Sequence, residues 1–289
     1  MKYIFLINSF TVRDDINKLI HNIKKYCEDM NISYEIEINN ESNSTEMILK
    51  KYKKTEYIIF SIGGDGTLNR VVNSLANTNN IIGVIPYGTG NDFYKTMRKQ
   101  FKKGINYCDL VKINDRYFIN TACFGIDADI AYNKESITSK VIPRNQRYNV
   151  SILKSFLKYK PRYFKIEVNN KVIEDYFATV VVCNGEYYGN GYNIGANSKL
   201  NNNRVDLYVA NDLNRFLLAK LILKMIKGKH VNDKNIVKLE SKKIVIKIKE
   251  KVKANIDGEI LEDDKFKIEV LNKKIKIFYD EELVNNIKK

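Results

Sequence analysis

The chain has 289 residues, 44% of them hydrophobic and 29% charged, a globular composition that argues against wholesale disorder and leaves room for two domains. Its formal net charge of +15 suits an anionic partner but does not choose among nucleic acid, an acidic membrane and a phosphorylated ligand. Cys27, Cys108, Cys123 and Cys183 form no C-x-x-C pair and stand far from both histidines, which argues against a zinc site or a disulfide framework and for free thiols in a reducing cytoplasm.

Residues 2–7 form a short apolar run with no small-residue cleavage site, so they read as a first strand and not as a signal peptide. No segment approaches ~18 consecutive apolar residues, so no transmembrane span is expected. Residues 15–29 place Ile16, Leu19, Ile20, Ile23 and Tyr26 at helical spacing. A strand at 34–38, a helix at 45–54 and a buried strand at 56–62 follow. Residues 68–76 carry Leu68, Val71, Val72 and Leu75 on one helical face, and 81–86 is a further strand. Alternating strands and helices predict a parallel sheet with helices on both faces.

From about residue 107 the texture changes. Strand-like runs dominate, at 109–113, 117–123, 163–169, 176–183, 204–210, 244–249, 253–256, 267–271 and 274–279. Several alternate apolar residues with Lys or Glu, as a sheet with one wet face does. Helical stretches at 148–158 and 213–227 interrupt them. The expected organisation is an α/β domain over 1–105 and an antiparallel β-rich domain over 106–279. A terminal helix at 280–289 would return to the first domain.

Two glycine turns carry the chemistry. The first is Ser61-Ile62-Gly63-Gly64-Asp65-Gly66-Thr67-Leu68-Asn69, between a buried strand and an amphipathic helix. Glycines let the backbone approach a phosphate chain, and the helix start offers free N–H groups to an anion. Asp65 adds a carboxylate able to hold Mg²⁺ over phosphates. The second is Gly83-Val84-Ile85-Pro86-Tyr87-Gly88-Thr89-Gly90-Asn91-Asp92-Phe93, again strand, turn and helix start. Two such turns on neighbouring strands can face one ligand, and the Thr89 hydroxyl can bond a phosphate. Either turn alone would be a tight turn followed by a helix cap.

The pair resembles the diacylglycerol kinase catalytic-domain family, which includes bacterial soluble lipid kinases and the sphingosine kinases. Three further segments are similar to that family's: 118–128 (Phe118-Ile119-Asn120 through Gly125-Ile126-Asp127-Ala128), 184–191 (Asn184-Gly185-Glu186 through Gly189-Asn190-Gly191), and Asn255-Ile256-Asp257-Gly258-Glu259. The resemblance implies a Rossmann-like nucleotide domain, a β-sandwich domain and a cleft between them. It implies ATP with Mg²⁺, bound through Asn8, Gly63, Gly64, Asp65, Gly66, Thr67, Leu68, Asn69 and Thr89, with Asp65 the metal ligand. It makes Asp257 the general base, with Glu259 beside it. The acceptor implied is a lipid hydroxyl at a membrane surface, with diacylglycerol the modal substrate. Sphingoid bases and phosphatidylglycerol stay open. Read on its own, Asp-Gly is more often a hairpin turn than a base.

Two departures stand out. The family's first strand ends in N-P-x-x-G, whereas this chain reads Asn8-Ser9-Phe10-Thr11-Val12, keeping only the asparagine. Before a late strand, asparagines 201–203 stand where an acidic metal loop is expected, with Asp206 nearby. Rival readings are an NAD kinase, which shares GGDGT, and a non-catalytic nucleotide or lipid sensor. Residues 213–227 mix apolar side chains with lysines, which fits either a core helix or contact with an anionic membrane at the inner face. No nucleic-acid motif is visible. A homodimer is compatible with the sequence.

Overall fold

The computed structural model describes residues 1–12, 15–126, 128, 129, 132 and 159–289. Asp127 and the helix expected at 148–158 lie outside them.

Strands β1 (Tyr3–Asn8), β2 (Tyr34–Asn39), β3 (Ile58–Gly63) and β4 (Ile81–Pro86) pair in parallel in the order β2-β1-β3-β4. Every residue of β3 and β4 is buried, as strands covered on both faces require. The covering helices include α1 (Ser9–Val12), α2 (Ile16–Asp29), α3 (Thr45–Leu49), α4 (Asp65–Leu75) and α5 (Asp92–Gln100). Right-handed crossovers place α2 on one face and α3 and α4 on the other. The direction of winding therefore reverses between β1 and β3. At such a switch point the strands' carboxyl ends leave a crevice, and here those ends are Asn8 and Gly63.

The second half is antiparallel. It comprises β5 (Gly104–Ile113), β6 (Arg116–Phe118), β7 (Thr121–Gly125), β8 (Arg162–Val168), β9 (Lys171–Cys183), β10 (Val205–Asn211), β11 (Ile236–Ser241), β12 (Lys243–Ile256) and β13 (Glu259–Tyr279). Helix α6 (Arg215–Ile226) connects β10 towards β11, and α7 (Glu281–Lys288) ends the chain. Its core gathers Phe118, Phe124, Phe164, Val180, Val182, Leu207, Ile246 and Phe266.

The halves are not joined by a simple linker. β13 leaves the Asp257-Gly258 turn as the antiparallel partner of β12, then ends parallel to β4 through Lys276, Ile277 and Phe278. β5 pairs antiparallel with β13 from Ile268 to Tyr279. Residues 274–279, expected in the second half, thus complete the first sheet, and Ile275, Ile277 and Tyr279 are buried in the first core. One continuous strand fixes the base of the Asp257 turn relative to the glycine turns.

Helix α7 packs on α2. Leu283, Val284 and Ile287 are buried with Leu19 and Ile23, and Asn22 Nδ2 donates to the Ile287 carbonyl at 3.1 Å. The Asp280 side chain caps α7 by accepting from Glu282 N and Leu283 N. Ile287→Ala is expected to cost about 2–5 kcal/mol through the cavity it leaves, read as a lower urea midpoint.

Four local expectations change. The strand expected at 117–123 breaks at Ile119 and Asn120, whose N–H groups are turned to a side chain instead. Runs 244–249 and 253–256 form one strand with a register shift between Lys247 and Val252. Runs 267–271 and 274–279 likewise merge, across an irregularity where Lys273 takes φ 47°. β11 was hidden because Ile236, Val237 and Leu239 lie within a lysine-rich stretch.

Candidate active site

The two glycine turns touch. Gly63 O accepts hydrogen bonds from Tyr87 N at 2.8 Å and Gly88 N at 3.1 Å. A methyl group on Gly64 would stand 3.2 Å from the Gly88 Cα, and one on Gly88 would overlap the Gly64 Cα outright. Only paired glycines allow this approach. Asn91 holds the second turn closed, accepting from Gly88 N at 2.9 Å and donating to Gly88 O at 2.6 Å, in a left-handed conformation that asparagine tolerates.

Asp65 ties the turns electrostatically. Its two carboxylate oxygens accept from Asp92 N at 3.1 Å and Phe93 N at 3.2 Å, the first free donors of α5. Burial, and then the charge of Asp92, push its carboxyl above the ordinary range. Asp92 Oδ1 pairs with Lys95 at 3.0 Å, and its Oδ2 accepts from Asn190 N at 2.8 Å. The Oδ2 atoms of Asp65 and Asp92 both face Gly90, 3.2 and 3.3 Å from where its Cβ would be. No group of three or more His, Cys, Asp or Glu side chains converges among the described residues. A cation beside Gly90 would take its remaining oxygens from phosphate and water, as Mg²⁺ commonly does. Two carboxylates facing Gly90 on the cleft wall fit that ion.

Asn8 closes the floor. Its Nδ2 donates to Thr67 Oγ1 at 2.7 Å, and its Oδ1 accepts from Phe10 N at 3.1 Å. The one-turn helix α1 thus stands where the family's first strand ends in its proline-glycine loop, with Asn8 still bound to the glycine turn.

Asp257 faces these turns from the opposite wall. It takes φ 49° at the tip of the β12–β13 hairpin, followed by Gly258 at φ 94°. Its Oδ1 accepts from Asn120 N at 3.1 Å and Thr121 N at 2.8 Å, and its Oδ2 accepts from Ile119 N at 2.8 Å. Asn69 Nδ2 lies 3.4 Å from Oδ2, the longest of the four contacts. Burial pushes the carboxyl up to about 6, against the downward pull of these donors. The break between β6 and β7 supplies the backbone donors.

One cleft of about 560 Å³ collects these groups. Asn8, Gly64, Asp65, Gly66, Thr67 and Thr89 line it, and so does Asp257. Four expected residues do not line it. Gly63 lies in β3. Leu68 is core. Asn69 is buried against Asp257 and the Tyr117 carbonyl. Glu259 pairs with Arg70 at 2.9 Å.

Sequence models of known families match both halves: the diacylglycerol kinase catalytic domain over residues 2–115, and the YegS C-terminal NAD kinase beta sandwich-like domain over residues 120–279. The chain belongs to the diacylglycerol kinase catalytic-domain family. It is 27% identical to the diacylglycerol kinase of Bacillus subtilis (strain 168) over 215 residues, 70% of this chain and 71% of that one. A protein of Staphylococcus carnosus (strain TM300) whose name includes the words lipid kinase is 24% identical over 91% of this chain and 90% of its own. A Bacillus anthracis str. Sterne crystal structure, described in the words diacylglycerol kinase, shares the fold with a TM-score of 0.77 at 21% identity, covering 98% of this chain and 96% of that one.

Membership of this lipid kinase family makes the chain a phosphotransferase with an alcohol acceptor and ATP as the phosphate donor. Among the described residues no helix is long and apolar enough to cross a membrane.

Sequence reasoning gave no role to Asp92, Asn120, Thr121, Tyr188 or Asn255, which also line the cleft. Asp92 was disguised as a helix cap. Asn120 and Thr121 were disguised as strand. The asparagine loop at 201–203 offers no acids, and Asp206 already bonds Ser198 Oγ and pairs with Lys238 at 3.3 Å.

Proposed function

We propose that the enzyme transfers the γ-phosphoryl group of ATP to the free hydroxyl of diacylglycerol, giving phosphatidic acid. The observation that carries this is Asp257 sharing one cleft with Asp65 and Thr89. The donors of the glycine turn and of the α4 start suit a triphosphate. Gly64, Gly66, Thr67 and Thr89 are its cradle in this proposal, with Asn8 and Asn69 as supports. The first sheet acts as a nucleotide domain and the antiparallel half as the substrate domain.

Phosphoryl transfer depends on positioning and charge neutralisation. Held by Asp65 and Asp92, Mg²⁺ would neutralise charge on the phosphates. Asp257 takes the proton of the acceptor hydroxyl as its oxygen bonds to the γ-phosphorus and the bond to ADP breaks. Oδ2 is the oxygen with spare capacity, because Asn69 holds it loosely. Glu259, fixed by Arg70, adds negative charge behind Gly66 and steadies the rim. The B. subtilis relative's name favours diacylglycerol over other lipids. The four cysteines are all buried, which fits work in the reducing cytoplasm at the inner membrane face.

The acceptor is tested by mass spectrometry of a total lipid extract treated with the purified protein and ATP. Phosphatidic acid should accumulate. Phosphorylated sphingoid base or phosphatidylglycerol in its place would overturn the choice of diacylglycerol.

A further inference from the structure

Helix α6 has two unlike faces. Leu218, Leu221 and Met225 point inward and are buried. The outward face carries Phe216 at 67% exposure, Leu223 at 65%, Ile226 at 46% and Leu217 at 38%. Set among them are Lys220, Lys224 and Lys227, all exposed. Phe216, Lys220, Leu223 and Lys227 follow one another at helical spacing, so they form a single ridge. Lys220 lies over the Phe216 ring at 4.4 Å. Lys224 pairs with Asp233. Lys220 and Lys227 have no acidic partner among the described residues.

The inward face packs towards the cleft wall. Met225 packs in one cluster with Tyr188, and Asn193 N donates to the Met225 carbonyl at 3.1 Å. Tyr188 lines the cleft. Whatever seats on α6 is therefore held beside the cleft by a packed connection.

We propose that the outward face of α6 is a docking surface for an anionic lipid bilayer, with Phe216 and Leu223 entering the interface and Lys220 and Lys227 meeting headgroup phosphates. Large apolar side chains interleaved with cations suit the boundary where acyl chains meet anionic headgroups. A second copy of this chain is the poorer occupant. A twofold interface sets the same patch against itself, and this patch carries no acidic side chain to meet its own lysines. The net charge of +15 adds long-range attraction to the same partner. The docking surface rests on the lipid-kinase reading only for its purpose; binding itself needs neither ATP nor chemistry.

The test is sedimentation of the full chain with phosphatidylglycerol–phosphatidylcholine vesicles and with phosphatidylcholine vesicles, alongside kinase activity on a short-chain, water-soluble diacylglycerol. Wild type should bind the anionic vesicles and release them as salt rises. Phe216→Ser with Leu223→Ser should weaken that binding at least tenfold, while activity on the soluble acceptor stays unchanged. Lys220→Glu should weaken it about fivefold or more, the effect of one basic residue at an anionic surface. Anionic-vesicle binding that survives the double substitution would overturn the proposal. So would a wild-type dimer in gel filtration that the double substitution splits, since the face would then be a self-interface. Loss of kinase activity on every acceptor with vesicle binding intact would instead count against the catalytic reading alone.

Discussion

Asp257→Asn is expected to lower kcat by about 10²–10⁴-fold, the usual contribution of a positioned general base, while ATP binds within a factor of about three of wild type. Asparagine keeps the size of the side chain but loses its charge and half its acceptor capacity. One of the N–H groups of Ile119, Asn120 or Thr121 then faces an amide NH₂ and goes unsatisfied, which costs about 1–3 kcal/mol of stability. A thermal melt in parallel with kinetics separates the two effects. A folded variant with full kcat would remove Asp257 from the chemistry.

The same residue sets the acid limb of the pH profile. Its carboxyl is pushed up to about 6 by burial. Above that pH it is ionised and can accept the hydroxyl proton. Below it the carboxyl is protonated, so kcat/KM should fall about tenfold per pH unit. Activity held constant well below pH 6 would show that no such group governs catalysis.

Gly88→Ala is the second substitution with a large effect. The added methyl overlaps the Gly64 backbone, so no rotamer change can relieve it. The turns must part, and the Tyr87 and Gly88 N–H bonds to Gly63 O stretch with them. Overpacking of this kind costs about 1–3 kcal/mol. If the turns grip a triphosphate, ATP affinity should fall at least tenfold, measured by calorimetry, because the donors no longer converge. Gly104→Ala is the control for backbone stiffness, since its added methyl meets no atom within 4 Å although its φ of 107° strains the chain. It should lose stability without losing ATP affinity.

Much of the site was legible because its signals are local. A glycine turn between a buried strand and an amphipathic helix declares itself in nine residues, and the second turn repeats the pattern ahead of α5. The Asp257-Gly258 pair reads as a hairpin tip on turn chemistry alone, and it is one. Its second role was not local. Three donors arrive from the break at Ile119 and Asn120, more than a hundred residues earlier, where an apolar run looks like unbroken strand. The reach of β13 into the first sheet was hidden for a similar reason. Alternation identifies a strand, but not the sheet it joins, and the parallel pairing of Lys276 with Ile81 is a long-range choice made by packing. The dual character of α6 also needed coordinates, because periodicity alone did not say which apolar residues its neighbours would cover.

The most direct measurement is transfer of label from γ-labelled ATP to diacylglycerol in anionic vesicles, with wild type and Asp257→Asn side by side. Labelled phosphatidic acid is expected from the wild type and almost none from the variant. Label that never enters the lipid fraction, or that enters it equally with both proteins, would contradict this expectation.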